Sequence, residues 1–220
     1  TKLSVGQAQV ESALQEAMAN AGGQQGTRPD RTAMEDALAT TLATKLNLEM
    51  GNTPEILAIA LDVKPHFVCM VPESREEVTT EGGLDVRAHF AALKPTVAAL
   101  EANGTRVSMF IDPDLDQVRA SHEVGASMIE LHTGTFANHF GAERATEVAR
   151  LKAAAELGHS LGLQINAGHG LTTANLPDLW AVQHLHELNL GHHIVSRAVF
   201  IGLRAAVAEM LETMKTYPTA

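Results

Sequence analysis

From residue 46 onward, short apolar runs alternate with longer amphipathic stretches, and this alternation restricts the possible folds more than any other feature of the chain. The runs Leu46 to Met50, Phe67 to Val71, Val107 to Ile111, Met128 to His132, Leu163 to Ala167 and Glu187 to Leu190 read as strands bounded by Gly, Pro, Asp or Thr. Helices are expected between and after them, at 53–62, 87–103, 113–123, 143–161, 174–183 and 193–216. Thr53-Pro54 places proline at a first helical position, and Asp112 is positioned to cap a helix opening with Pro113. Strands that alternate with helices in this way build a parallel sheet. The number of units favours an α/β fold of the TIM-type (β/α)8 barrel over an open sheet.

The front of the chain is less regular. Lys2 to Val5 reads as strand one and Gln9 to Asn20 as a helix, with a further helix at 32–44 leading into the third strand. Residues 21–31 offer no β-branched or aromatic run where strand two belongs, so that strand is expected to be irregular or incomplete. With 220 residues and 45% hydrophobic content, residues 1–220 are expected to form a single barrel domain with a sizeable core.

The net charge of −10 comes without a Lys/Arg-rich run, which argues against nucleic acid or an anionic membrane as a partner and for a small molecule. One cysteine, Cys69, leaves no internal disulfide. No apolar run approaches the roughly 20 residues that cross a bilayer, and the N-terminal residues lack the basic and apolar regions of a signal peptide. A cytoplasmic location is expected.

In such barrels the active site lies at the C-terminal ends of the strands, so polar residues there carry most of the functional information. Glu49, in Asn47-Leu-Glu-Met50, either points into the barrel mouth or pairs with a neighbouring Lys or Arg. Glu130 and His132, in Ile129-Glu-Leu-His-Thr-Gly134, have the same parity and can face one side of their strand. Burying a carboxylate is costly without partners, which favours a functional role for Glu130. In Asn166-Ala-Gly-His-Gly-Leu-Thr172, two glycines bracket His169; glycine lets backbone N–H groups approach a ligand, and imidazole exchanges protons near neutral pH. Leu188-Asn-Leu-Gly-His192 ends the last strand and runs into a helix. These last two loops, with a helix N-terminus, are the usual phosphate cradle of the fold and point to a phosphorylated substrate. In Glu77-Val-Thr-Thr-Glu-Gly-Gly-Leu-Asp85, Thr79 and Thr80 either hydrogen-bond a substrate or cap the next helix.

His184 and His186 form H-x-H, and His192 and His193 are adjacent, so metal is a candidate. Residues 1–65 contain no histidine, however, which removes the H-x-H at the end of strand one expected of a barrel metallohydrolase; no metal is expected. The lysines, at positions 2, 45, 64, 94, 152 and 215, avoid the C-terminal strand ends, so imine chemistry would need an amine on the substrate. No P-loop or G-x-G-x-x-G occurs, and no cofactor is expected.

Over residues 46–215 the chain resembles the pyridoxine 5'-phosphate synthase family. The resemblance is carried by the segments just quoted together with Lys64-Pro-His-Phe67, Val71-Pro-Glu73, Phe110-Ile-Asp112 and His186-Glu-Leu-Asn-Leu-Gly-His192. It implies a transferase of vitamin B6 biosynthesis that condenses 3-amino-2-oxopropyl phosphate with 1-deoxy-D-xylulose 5-phosphate, giving pyridoxine 5'-phosphate, phosphate and water without a bound cofactor. It also implies Glu49 as general base, His169 as proton donor and Glu130 as stabiliser of the transition state. Thr79 would hold deoxyxylulose phosphate, and Gly170, Gly191 and His192 aminooxopropyl phosphate. An octamer is implied by the same resemblance.

The N-terminal part departs from the family pattern, which has a basic, Asn-containing segment after strand one and a His-x-Arg and a further His after strand two. Arg28, in Arg28-Pro-Asp-Arg31, resembles the arginine-bearing end of the second motif, but the histidines are missing. Two readings follow: an active synthase, or a catalytically impaired paralogue that keeps the phosphate site. Phosphate binding is expected to survive while turnover is reduced. A metal-dependent hydrolase is a third reading, which stoichiometric zinc would reveal.

Overall fold

The structure, a computed structural model, describes residues 45–72 and 82–218. Six strands, β1 (Asn47–Met50), β2 (Phe67–Met70), β3 (Arg106–Ile111), β4 (Met128–His132), β5 (Gln164–Gly168) and β6 (Leu185–Asn189), pair in sequence order, every pair parallel. Parallel neighbours require a crossover, and helices supply it. They are α1 (Pro54–Val63), α2 (Phe90–Ala102), α3 (Leu115–Glu123), α4 (Gly134–Asn138), α5 (Gly141–Ser160), α6 (Leu176–Leu179), α7 (His192–Ile201) and α8 (Leu203–Met214).

Alternation along the strands divides the sheet into two faces. Met70, Met109, Ile129 and Ile165 share one register line, are almost fully buried and belong to one core cluster with Leu93, Val97, Val118 and Leu151 from the helices. Each such aliphatic side chain contributes roughly 1.5–3 kcal/mol on burial. The other face carries Cys69, Ser108, Glu130, Asn166 and Glu187, in place of the branched aliphatic layers that usually fill a barrel. The sheet curls around this polar face: Glu130 on β4 is hydrogen-bonded from β2 on one side and from β6 on the other. The fold is thus α/β of the TIM barrel type, with six of its strands among the described residues. The expected elements at 2–5, 9–20 and 32–44, and the irregular strand at 21–31, lie outside the described residues.

Local chemistry sets several boundaries. Thr53 caps α1 as expected, its side-chain oxygen accepting from the Ile56 N–H at 3.2 Å, with Pro54 in the first turn. The helix expected from Pro113 begins two residues later, because Asp114 is the cap: its Oδ1 accepts from the Asp116 and Gln117 N–H groups at 2.9 and 3.0 Å. Asp112 is thereby left to other partners. The helix expected at 143–161 is α5, preceded by the separate short α4, while 174–183 reduces to the four residues of α6. The helix expected at 193–216 is broken at Gly202, whose φ of +85° no helical residue adopts.

Candidate active site

A cavity of about 920 Å³ opens at the C-terminal ends of the strands. Glu49 on β1, Glu130 on β4, and His169 and Gly170 after β5 line it, opposite Gly191 and His192 at the start of α7. These six residues, to which the family resemblance gives roles, therefore meet in one place. Thr79 and Arg28 lie outside the described residues.

Glu130 is 5% exposed. Its Oε2 accepts from the Asn189 amide at 2.6 Å and from the Cys69 thiol at 3.5 Å. Burial, opposed by these two hydrogen bonds and reinforced by the charges of Glu49 and Glu187, pushes its pKa up to about 7. The buried Cys69 thiol is in turn pushed well up, by burial first and then by Glu130, so it stays protonated and able to donate. Glu130 is thus a carboxyl poised to be either proton donor or acceptor near neutrality.

A carboxyl that holds its proton more tightly in the folded than in the unfolded chain stabilises the fold at low pH, and that contribution fades as pH rises from its ordinary value of 4.5 through about 7. The wild type should lose up to roughly 3 kcal/mol relative to Glu130→Gln across this window, from 1.36 kcal/mol per unit. Urea denaturation of both proteins between pH 4.5 and 7.5 checks this; parallel stability curves would contradict it.

His169 stands in the left-handed region, φ +84°, and is followed by Gly170 at φ +72°. Such a conformation costs a non-glycine residue of order 1–3 kcal/mol unless its surroundings hold it. Here they do. The Thr133 hydroxyl lies 2.6 Å from both the Gly168 and His169 carbonyls, the Thr133 N–H donates to Gly168 O at 2.8 Å, and the imidazole is left exposed to the cavity. Asn175, buried beyond the loop, ties it down by donating to Gly170 O and accepting from Thr172 N–H. Facing this loop, Gly191 begins α7 without any side-chain cap, so the first N–H groups of a ten-residue helix have no side-chain acceptor. Such donors, with the helix dipole behind them, suit an anion.

His132 shares the inner face with Glu130, but does not line the cavity. It is 3% exposed, its Nδ1 lies 3.0 Å from Asp112 Oδ1, and its ring meets those of Phe110 and His169 edge-on at 5.2 and 5.1 Å. The other histidines singled out in the sequence separate: His184 stacks on His159 at 3.8 Å, and His193 accepts from the Thr173 N–H at 3.5 Å. Among the described residues no group of three or more His, Cys, Asp or Glu side chains is placed to hold a metal ion. The sequence alone does not mark Cys69, Asn189 and Asp112 as partners of the site residues. The first two follow only from register and curl, although Asn189 stands in a quoted segment.

An acid–base cavity at the C-terminal mouth of a (β/α) barrel, beside an uncapped helix start, defines a TIM-barrel enzyme. The chain belongs to the family of the pyridoxal phosphate biosynthesis protein PdxJ, whose family model matches residues 9–216. It is 58% identical over 192 residues to the pyridoxine 5'-phosphate synthase of Akkermansia muciniphila, covering 85% of this chain and 78% of that protein. Among solved structures, it resembles the tryptophan synthase A-subunit of Pyrococcus furiosus at TM-score 0.57 and 14% identity, over 91% of this chain and 80% of that one. It also resembles a putative fructose-1,6-biphosphate aldolase of Coccidioides immitis, at 0.57 and 12% identity, over 84% and 76%. These two likenesses are of fold alone.

Proposed function

We propose that the chain is a pyridoxine 5'-phosphate synthase of vitamin B6 biosynthesis. It condenses 3-amino-2-oxopropyl phosphate with 1-deoxy-D-xylulose 5-phosphate to pyridoxine 5'-phosphate, phosphate and water. The observation that carries this reading is the single cavity shared by Glu49, Glu130, His169 and the start of α7 in a chain 58% identical to a protein of that name. Glu49, exposed within the cavity, is the general base. His169, also exposed, delivers protons, and Glu130 stabilises charge in the transition state. The N–H groups around Gly170, Gly191 and His192 hold the phosphate of the amine substrate. That substrate supplies the nitrogen for imine chemistry, since the lysines avoid the strand ends. Thr79 holds deoxyxylulose phosphate, and Arg28 contacts substrate.

Residues 1–220 form one barrel domain in this reading, which acts without a cofactor in the cytoplasm. Among the described residues no helix is long and apolar enough to cross a membrane. An octamer is implied by the family resemblance.

The test is product formation from the two substrates set beside calorimetry with pyridoxine 5'-phosphate on the same preparation. Turnover together with binding supports the synthase. Binding without product would favour the impaired paralogue, and absence of any phosphate-ester binding would reject both.

A further inference from the structure

We infer that His132, anchored by Asp112, is a positioning residue that fixes the imidazole of His169 in the orientation needed for proton delivery. This rests on the role of His169 proposed above. Three consecutive residues at the end of β4 grip His169 from different sides. His132 lays its ring edge-on against the His169 ring, centroids 5.1 Å apart at 63°. Thr133 holds the His169 backbone through its hydroxyl. Gly134 lets the two rings close over the chain: a Cβ added there would lie 2.5 Å from His132 Nε2 and 3.1 Å from His169 Cδ2.

The His169 ring projects into the cavity from an exposed, left-handed residue of a loop. His132 is the reverse, a side chain 1% exposed on a central strand. Its Nδ1 lies 3.0 Å from Asp112 Oδ1, and the same oxygen accepts the Gly83 N–H at 3.1 Å. The Asp112 carboxyl is held below its ordinary range by the His132 hydrogen bond first, and by Gly83 N–H and Arg150 besides, against the effect of burial. Being ionised, it can only accept, so Nδ1 of His132 carries the proton and the ring cannot flip without losing that bond. A rigid strand thus orients a loop residue through an anchored ring, as precise acid–base geometry requires.

The test uses two variants of the full chain, His132→Phe and Asp112→Asn. Phenylalanine keeps a ring but loses the anchor, whereas asparagine keeps an oxygen that accepts from both Nδ1–H and Gly83 N–H. For His132→Phe, kcat should fall about 10²-fold, the scale of a small misplacement, with KM for both substrates and calorimetric binding of pyridoxine 5'-phosphate little changed. Asp112→Asn should keep most of kcat. The ring signals of His169 in histidine-labelled NMR, assigned with His169→Gln, should shift in His132→Phe and stay in place in Asp112→Asn. Unchanged kcat and ring signals in His132→Phe would overturn the inference, as would equal losses in kcat and binding or a loss in Asp112→Asn as large as in His132→Phe. If the wild type makes no product, the proposed function fails, and the NMR shift alone then decides whether His132 positions His169.

Discussion

Replacing His169 by Gln is expected to reduce kcat for pyridoxine 5'-phosphate formation by about 10²–10⁴-fold, the usual cost of losing one positioned general acid or base. Gln keeps a polar side chain of similar reach and meets the same φ of +84°, so the backbone penalty is nearly the same in both proteins. Glycine would relieve that penalty and confuse the comparison. The hydrogen bonds of Thr133 and Asn175 to the loop use main-chain atoms, and they survive the change. In the proposed role N–H groups hold the phosphate end, so calorimetric affinity for pyridoxine 5'-phosphate should change little. A steady-state rate near that of the wild type would show that another group delivers the proton.

The second large effect is expected from Gly168→Ala. A Cβ at this position would lie 2.2 Å from Glu130 Oε1 and 2.7 Å from the Asn189 carbonyl oxygen. Glu130 can yield only by giving up the Asn189 amide and the Cys69 thiol, and the carbonyl belongs to β6 itself, which pairs with β5 at this point. Overpacking of this kind costs typically about 1–3 kcal/mol. Activity should fall further than stability, because the shift displaces the carboxyl assigned to the transition state. Denaturation and rate measurements on Gly168→Ala, set beside Glu130→Gln, check this. A variant as stable and as active as the wild type would show that β5 and β6 have slack here that the structure does not suggest.

The residues bearing on chemistry were legible in the sequence where a strand ends in an unusual polar residue. Glu49 and Glu130 each interrupt an apolar run, His169 stands between two glycines just past its strand, and barrel geometry brings such strand ends together. The network around them was not legible. Cys69 and Asn189 sit on β2 and β6, strands that are sequentially remote from Glu130 and meet it only because the sheet curls. Asp112 was the expected cap of α3, but Asp114 takes the N–H groups while Asp112 turns to His132. The break at Gly202 was hidden for a different reason: the apolar pattern continues across it, and only the backbone angle marks the end of α7.

In the proposed function one cavity holds both the acid–base groups and the phosphate. A crystal structure of the complex with pyridoxine 5'-phosphate tests this most directly. The phosphate is expected between the loop at Gly170 and the start of α7, within hydrogen-bond distance of N–H groups at Gly191 and His192, and the ring of the product beside Glu130 and His169. A phosphate bound away from α7, or a product ring out of reach of both Glu130 and His169, would contradict it.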